Sequence, residues 1–274
     1  MALLGRRLAV SIPDSLLEEK TSLREKTAKL GLVARACAIY GVDVIEVFGD
    51  PKGRGEAQTI RKVLEYLETP QYLRKRLYPL DETLRYAGML PPLRIPSHKA
   101  RISLEELRLG DVREGVVNRD GTVDIGLAAA PRLVGKAAPG ERVTVRVSSL
   151  RPLVVEPVQP GQVGTYWGYA VEAKPVYEVL SDPRFPMKVA TSRLGNDIAV
   201  ELAGVRALLK QASGVKLIFG SPSRGLFEIV GEDLPKRVDF VLNLFPQQQV
   251  KSVRTEEAVL AGLGVVSLLS SEKA

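Results

Sequence analysis

Short apolar runs alternate with longer segments of helical periodicity at both ends of the chain. Residues 8–12 and 42–48 are almost continuously apolar, which is typical of strands in a parallel sheet covered on both faces. The first run ends at Pro13, and Asp14 or Ser15 is suited to cap the helix that follows. The same alternation predicts helices over residues 14–40, 55–68, 70–90, 196–212 and 253–269 and strands over residues 188–191, 215–219 and 238–245. This order of elements predicts an α/β fold with a mostly parallel sheet.

The middle of the chain has a different pattern. Three prolines between residues 91 and 96 interrupt it, and short β-runs then alternate with polar turns over residues 102–163. Residues 118–121 carry a hairpin signal. Several short strands of this kind predict a small β-barrel of the OB-like type. We therefore expect an α/β domain formed by residues 1–94 and 165–274, interrupted by an inserted β-domain at residues 95–164.

Cysteine and histidine each occur once, as Cys37 and His98. Zinc sites built from these residue types are excluded, and we expect no metal. Cys37 lies in an apolar helical stretch, which favours a buried structural thiol over a nucleophile. We expect His98 at a hinge or on the surface. Because no run of about 18 apolar residues occurs and no long apolar signal region begins the chain, we expect a cytoplasmic protein without a membrane span.

Positive charge is concentrated in one region. The formal net charge is +7, and residues 52–101 hold eleven Lys and Arg against five Asp and Glu. Such a zone is the footprint of a polyanion-binding surface; a charge-rich solvated surface of a heat-adapted protein is the alternative. Residues 102–165 are charge-balanced and contain no aromatic residue, so this insert lacks the stacking platform of OB-folds that grip single strands. The basic zone is the better candidate for contacting a polyanion.

The sequence lacks two common nucleotide-binding motifs. Residues 220–225 have the glycine spacing of a P-loop, but Leu226 and Phe227 stand where a lysine and a serine or threonine are required. The glycines that follow the run at residues 42–48 do not have the G-x-G-x-x-G spacing of a dinucleotide-binding turn. NTP hydrolysis and Rossmann-type binding are therefore disfavoured.

Residues 215–258 carry the strongest functional signal. Two apolar runs within them each end in a turn, and a helix start follows the second turn. At the carboxyl ends of strands, such turns hold a small ligand through main-chain groups. Gly220 allows a close backbone approach, and Asn243, Leu244 and Phe245 end the second run. This pattern suits a slot for an adenine ring.

Three separated segments resemble the motifs of the SpoU-type branch of the SPOUT RNA methyltransferases, at residues 31–42, 217–226 and 243–258. The chain is similar, over nearly its whole length, to an archaeal and eukaryotic SPOUT group that carries an inserted OB-like domain. The segments that carry this second resemblance are residues 66–74, 88–93, 166–169, 190–193 and 253–258.

The resemblance implies a homodimeric, S-adenosylmethionine (SAM)-dependent methyltransferase that acts on RNA, with ribosomal RNA expected, and a C-terminal trefoil knot. The cofactor-binding residues that it implies are Thr191, Arg193, Gly220, Ser221, Gly225, Asn243, Leu244, Phe245 and Val253. The catalytic residues are Arg35, Arg254 and Glu256, with Glu228 as a second candidate for the base. The RNA-binding residues are Arg74, Lys75, Arg76 and Arg224.

Departures from the SpoU pattern leave other functions open. Leu30 stands in place of an Asn and Pro222 in place of an acidic residue, while Arg254 and Glu256 replace an Asn and a Ser. A non-catalytic RNA-binding or ribosome-assembly factor is therefore an alternative. A protein-interaction scaffold is a third, because the insert is neutral and free of aromatic residues. Residues 252–257 also form a well-capped helix start without any catalytic duty, and each arginine is equally suited to a surface ion pair.

Overall fold

The computed structural model describes residues 6–271, and these residues form two units. The first unit contains residues 6–67, 83–91 and 169–271, and the second contains residues 68–82 and 92–168. The second unit thus includes a segment that precedes the expected insert. The domain limits at residues 95–164 stay a prediction.

The first unit is built on a six-stranded sheet whose strand pairs are all parallel. Its strands are β1 (Arg7–Pro13), β2 (Val44–Phe48), β8 (Ala170–Lys174), β9 (Met187–Asp197), β10 (Gly214–Ile218) and β11 (Phe240–Asn243). They lie in the order β11-β9-β10-β1-β2-β8. Every residue of β2 and β10 is buried, as expected for strands covered on both faces. The predicted α/β class with a mostly parallel sheet is confirmed.

Helices of the first unit cover this sheet. They are α1 (Leu23–Tyr40), α2 (Ala57–Glu68, whose last residue belongs to the second unit), α4 (Val176–Ser181), α5 (Ile198–Gln211), α6 (Leu226–Val230), α7 (Leu234–Arg237) and α8 (Thr255–Ser271). Helix α1 packs against α8. Cys37 on α1 is buried, as predicted, and burial raises the pKa of its thiol. No helix within residues 6–271 is both long and apolar enough to cross a membrane.

The start of the first long helix differs from the prediction. Residues Asp14–Leu17 form a short 3-10 turn, and α1 begins only after Ser22. Ser22 accepts a hydrogen bond from the Glu25 backbone, and the Glu25 carboxylate accepts one from the Ser22 backbone, which is a capping box. Asp14 is occupied elsewhere, because its carboxylate accepts a hydrogen bond from the Asp50 backbone at 2.8 Å. A capping type of residue was thus recognised at the wrong position.

The predicted helix over residues 70–90 is wrong in extent. Only α3 (Gln71–Leu77) is a regular helix, and two 3-10 turns follow at Glu82–Leu84 and Ala87–Met89. Pro79 comes directly after the C-cap Tyr78, and a proline there lacks the N–H that continuing the helix requires.

Strand β11 pairs with two separated stretches of β9. Residues 240–241 pair with residues 189–190, and residues 242–243 pair with residues 196–197. Residues 191–195 therefore leave the ladder between these stretches. Gly195 ends this excursion against β11, where an added Cβ would lie 2.5 Å from the Val241 carbonyl oxygen. Only glycine allows the two backbones to approach this closely.

A buried network of charges lies in the first unit, around residues of β2, β8 and β10. The Glu46 and Lys216 side chains are fully buried, and the Lys216 ammonium lies 2.7 Å from the Glu46 carboxylate. Lys174 and Arg184 join this pair to the carboxylates of Glu172 and Asp182. Three acids thus face three bases, which offsets the desolvation cost that each charge would bear alone. Burial lowers the pKa of Lys216.

The second unit contains a five-stranded sheet that is nearly closed. Its strands are β3 (Val112–Val117), β4 (Val123–Asp124), β5 (Arg132–Leu133), β6 (Arg142–Leu150) and β7 (Leu153–Pro157), in the order β4-β3-β6-β7-β5. A bridge between Thr122 and Arg132 brings the two ends of the sheet together. Val117, Val145 and Val155 belong to the apolar core inside it. Closure of this kind leaves few unpaired strand edges.

A polar cluster in the second unit surrounds Glu114. Its carboxylate accepts hydrogen bonds from the Trp167 indole at 2.6 Å and from the Arg142 guanidinium at 2.6 Å. Arg142 also pairs with Glu68 at 2.6 Å. Burial raises the pKa of Glu68 to about 7, because desolvation, together with the neighbouring Glu114 carboxylate, outweighs the attraction of Arg142.

Candidate active site

A cavity of about 360 Å³ lies at the carboxyl ends of three strands of the first unit. Its walls come from the segments that follow β10 and β11, from residues 191–194 within β9, and from the start of α8. Strands β9, β10 and β11 are neighbours and parallel, so the segments at their carboxyl ends meet at one edge of the sheet. Ligands of open α/β sheets bind at such an edge.

The turn after β10 is tight and held by backbone and hydroxyl groups. The Ser221 backbone N–H donates to the Arg224 carbonyl oxygen at 2.9 Å, and the Arg224 N–H donates to the Ser221 hydroxyl at 3.0 Å. A Cβ at Gly220 would lie 3.0 to 3.1 Å from the backbone of residues 224–226. The glycine is therefore required by the shape of this turn.

The side chain of Asn243 connects two walls of the cavity. Its carbonyl oxygen accepts a hydrogen bond from the Phe245 backbone at 2.9 Å, which closes an Asx-turn after β11. Its amide nitrogen donates to the Arg193 carbonyl oxygen at 3.3 Å. The Asn243 side chain thus fixes the turn after β11 relative to the excursion from β9.

The first turn of α8 is fastened to the turn after β10. The Thr255 hydroxyl donates to the Gly220 carbonyl oxygen at 2.9 Å. The Glu257 carboxylate accepts a hydrogen bond from the Arg254 backbone at 2.9 Å. The helix start is therefore well formed and also serves as a wall of the cavity.

All nine residues that the sequence indicated for cofactor binding line this one cavity. They are Thr191, Arg193, Gly220, Ser221, Gly225, Asn243, Leu244, Phe245 and Val253. They come from four separate segments of the chain, and the sheet topology brings them together. The lining also includes residues that sequence reasoning did not single out, among them Phe227, Gln248 and Lys251. Phe227 was passed over because the P-loop test gave it no role, and no motif marks the other two.

The three residues proposed as catalytic do not line the cavity. Arg35 and Arg254 are exposed. Glu256 is buried and lies 3.2 Å from the Lys29 ammonium of α1. Lys29 is also buried and pairs with Glu19. The Glu256 carboxylate thus neutralises a buried lysine at the α1–α8 contact, whereas Glu228 lines the cavity and is exposed.

Arg224 is held by two carboxylates. Its guanidinium donates to Asp50 and to Glu18, each at 2.7 Å. Burial alone would raise the pKa of Asp50, but hydrogen bonds from the Arg224 guanidinium and the Lys52 backbone outweigh it and lower that pKa. Arg224 therefore fastens the turn after β10 to the end of β2. Its charge is already compensated before any RNA arrives.

The basic triplet of residues 74–76 belongs to the second unit. Arg74 donates to the Thr69 carbonyl oxygen at 2.9 Å, and Arg76 donates to the Val117 carbonyl oxygen at 3.3 Å. Both arginines thus have structural duties, while Lys75 is exposed. The triplet and Arg224 thus belong to different units.

The sequence matches known proteins over most of its length. A family model described as "Putative RNA methyltransferase" matches residues 7–266. The chain is 37% identical to an uncharacterized protein of Halobacterium salinarum, with 95% of this chain and 98% of the relative covered. It is 31% identical to the 28S rRNA (uridine-N(3))-methyltransferases of Mus musculus and Homo sapiens. These two alignments cover 94% of this chain and 75% and 77% of the relatives, respectively.

Proposed function

The chain belongs to this family of RNA methyltransferases, and on that premise we propose that it methylates N3 of a uridine in large-subunit ribosomal RNA with SAM as the methyl donor. The observation that carries the proposal is the cavity at the carboxyl ends of β9, β10 and β11, whose lining contains every residue indicated for cofactor binding. The printed names of the mouse and human relatives support the choice of ribosomal RNA and of uridine N3.

The cavity suits SAM in size and chemistry. Its volume of about 360 Å³ falls in the range of small-molecule sites, which is about 300–1,000 Å³. Leu244 and Phe245 supply apolar surface for an adenine ring, and the turn at Gly220 brings main-chain groups close to the cavity. When bound, SAM supplies a methyl group that its sulfonium makes electrophilic. The residues of the chain then have to orient the ligand and exclude water.

The target nitrogen needs a proton acceptor. Methylation at N3 would break the bond between the methyl carbon and sulfur and release S-adenosylhomocysteine, and N3 would lose its proton to a base. Glu228 is the carboxylate among the residues that line the cavity, so we assign it this role in place of Glu256. Arg193 and Lys251, which are exposed at the same cavity, are placed to hold RNA phosphates.

The finer features of the fold belong to the same proposal. The SPOUT assignment and the C-terminal trefoil knot rest on the resemblance, and the passage of β11 against Gly195 is compatible with them. The nearly closed sheet of the second unit supports an OB-like fold. Leu32 on α1 and Leu260 and Leu268 on α8 are exposed, at 59%, 46% and 60%, which supports a homodimer. A cytoplasmic location stays a prediction.

Ligand binding and methyl transfer test the proposal separately. Calorimetry is expected to detect saturable binding of SAM and of S-adenosylhomocysteine. Leu244→Glu, which places a charge in the apolar wall, is expected to abolish binding, while Leu104→Glu at an exposed position of the second unit is not. Absence of binding at millimolar ligand would overturn SAM as the donor.

The second measurement is transfer of a labelled methyl group from SAM to ribosomal RNA, followed by mapping of the methylated nucleotide. Label at uridine N3 is the expected result. Label at a ribose oxygen would refute N3 as the target atom, but the protein would still be an RNA methyltransferase. Saturable SAM binding without incorporation of label would favour a non-catalytic RNA-binding role.

A further inference from the structure

A second cavity, of about 720 Å³, lies within the second unit and is strongly basic. Four of the residues that line it are cations: Lys75, Arg94, Lys99 and Arg101. The other residues that line it are His98 and five uncharged residues, and no Asp or Glu is among them. Cations of one sign that converge on a concave surface repel one another and focus a positive potential there.

These cations are poorly compensated by the protein. Within the described part of the chain, Lys75, Arg94 and Arg101 form no ion pair, and Lys99 has the Asp111 carboxylate only at 3.9 Å. Lys75, Arg94 and Arg101 are exposed. The contrast with Arg224 of the first unit is clear, because Arg224 is held by two carboxylates at 2.7 Å each. The charges of the second cavity are therefore available to an external anion.

The backbone at Arg94 is held in an unusual conformation that keeps its side chain outward. Arg94 has φ of 55°, in the left-handed region that residues other than glycine rarely adopt. Its neighbours Leu93 and Ile95 are both buried. The left-handed turn allows both neighbours to insert into the unit while Arg94 stays exposed. Strained positions of this kind persist where the surroundings fix them, and they occur often at ligand sites.

Two other residues that line the cavity, Tyr72 and His98, are held by hydrogen bonds. Tyr72 is buried, and its hydroxyl donates to the Glu114 carbonyl oxygen at 2.6 Å. The His98 imidazole, which was expected at a hinge or on the surface, is partly buried, and its Nε2 donates to the Glu68 carbonyl oxygen at 2.6 Å. The cations are thus attached to a frame that is already ordered, which reduces the entropy lost on binding.

We propose that this cavity binds the phosphate backbone of the RNA substrate and so positions the RNA for methylation in the first unit. The proposal rests on the proposed function and adds a site to it. Its four cations can pair with more than one phosphate, and contacts of this kind do not read bases. The absence of aromatic residues from residues 102–165 does not affect this site, because none of the residues that line the cavity lies in that stretch and backbone contacts need no stacking platform.

Binding of a fluorescein-labelled, 20-nucleotide single-stranded RNA of mixed sequence tests the site, because phosphate contacts do not depend on sequence. The variant Lys75→Gln/Arg94→Gly removes two charges. It is expected to fold as well as the parent, since glycine relieves the left-handed conformation at position 94. The matched control, Arg119→Gln/Arg151→Gln, removes two exposed charges of the same unit that do not line the cavity.

The expected result is a loss of about tenfold in RNA affinity near physiological salt for the cavity variant alone. The slope of log K against log salt should fall by about 1.4, or about 0.7 for each lost phosphate contact. The fluorescence of Trp167, whose indole donates to Glu114 within the second unit, should be unchanged, which reports that this unit is folded in the variant. Equal losses in both double variants, or no loss in either, would overturn the site.

The site and the proposed function fail in different ways. If the parent protein binds the RNA and transfers label from SAM while the cavity variant does the same equally well, the site is refuted and the methyltransferase stands. If the parent transfers no label to ribosomal RNA, the proposed function fails. If the parent does not bind the RNA probe at all, the site is refuted whatever the labelling assay gives.

Discussion

The Thr255 hydroxyl donates a hydrogen bond to the Gly220 carbonyl oxygen across 2.9 Å. This bond joins the first turn of α8 to the turn after β10, 35 positions earlier in the chain. Both residues line the first cavity. Two walls of the proposed SAM site are therefore held in register by a single side chain.

Replacing Thr255 with valine removes the hydroxyl and keeps the shape of the side chain. We expect SAM to bind about five- to tenfold more weakly, because a net hydrogen bond contributes about 1 kcal/mol and the Gly220 carbonyl loses its partner. Calorimetry measures the change. Thr255→Ser is the control, since it keeps the hydroxyl, and it should bind SAM nearly as the parent does. Equal weakening in both variants would contradict this role.

Glu228→Gln tests the proton acceptor. The Glu228 carboxylate accepts a hydrogen bond from the Gly225 backbone at 3.4 Å, and a glutamine oxygen keeps that bond but cannot take a proton. We expect methyl transfer to fall by about 100-fold or more, with SAM affinity unchanged. Single-turnover transfer of labelled methyl groups to ribosomal RNA measures the rate.

Glu256→Gln is the matched comparison. Because the Glu256 carboxylate lies 3.2 Å from the buried Lys29 ammonium, its loss is expected to lower the stability of the first unit and leave the transfer rate per folded molecule unchanged. A large loss of rate in Glu256→Gln with none in Glu228→Gln would reverse the assignment.

Gly195→Ala is expected to destabilise the first unit by about 1–3 kcal/mol. The added Cβ would lie 2.5 Å from the Val241 carbonyl oxygen, and relieving this clash requires the backbone of β11 to move. Gly225→Ala is the control. A Cβ there meets no atom within 4 Å, and Gly225 has φ of −74°, so its effect on stability should stay within about 0.5 kcal/mol. Thermal unfolding compares the two variants, and comparable midpoints would refute the close contact.

The pH dependence of the second unit should follow Glu68. Its folded pKa of about 7 lies above the ordinary value of 4.5, so between these values the folded state binds a proton that the unfolded state has lost. Stability from this group is complete below about pH 4.5 and is lost as the pH rises through 7. Glu68→Gln lacks this titration. The free energy of unfolding of the variant minus that of the parent should therefore increase by about 2–3 kcal/mol from pH 5 to pH 8.

The single tryptophan makes this measurement specific to the second unit. Trp167 donates its indole hydrogen to Glu114, which shares Arg142 with Glu68. Urea unfolding followed by Trp167 fluorescence at several pH values reports the difference. A constant difference between the parent and Glu68→Gln across this range would show that Glu68 keeps an ordinary pKa.

Leu268→Glu tests the proposed homodimer. Leu268 is exposed on α8, at 60%, and a carboxylate there would have to be desolvated in an interface. Light scattering is expected to show a dimer for the parent and a monomer for this variant. Leu109→Glu, at a leucine of the second unit exposed at 67%, should leave the mass unchanged. A monomeric parent, or a dimeric Leu268→Glu, would count against an interface at α8.

Strands were predictable where a fully buried apolar run is bounded by turns. Residues 215–219 were expected as a strand, and the structure has one at Gly214–Ile218. The sequence also predicted that the cofactor-binding residues lie together, because neighbouring parallel strands present their carboxyl ends at one edge of the sheet. The directions of side chains did not follow. Whether Glu256 reaches the cavity depends on how α8 is turned toward α1, and the weak amphipathicity of this apolar helix does not reveal that.

Contacts distant in sequence were beyond prediction for a related reason. Arg224 is compensated by Asp50 and Glu18, 174 and 206 positions away, and no local pattern identifies such partners. The four cations of the second cavity come from α3 and from the segment of residues 94–101. The sequence did indicate that this region is basic. It did not indicate which cations would be left uncompensated.

The central position of β1 constrains how the protein is made. Its two neighbours are β2, close in sequence, and β10, about 200 residues later. At a translation rate of about 5–20 residues per second, about 10–40 seconds pass between the synthesis of β1 and the synthesis of β10. During this time one edge of β1 has no partner strand. The whole second unit emerges in that interval. Newly made chains should therefore be most exposed to aggregation, and most dependent on chaperones, just before β10, in the final quarter of the sequence, appears.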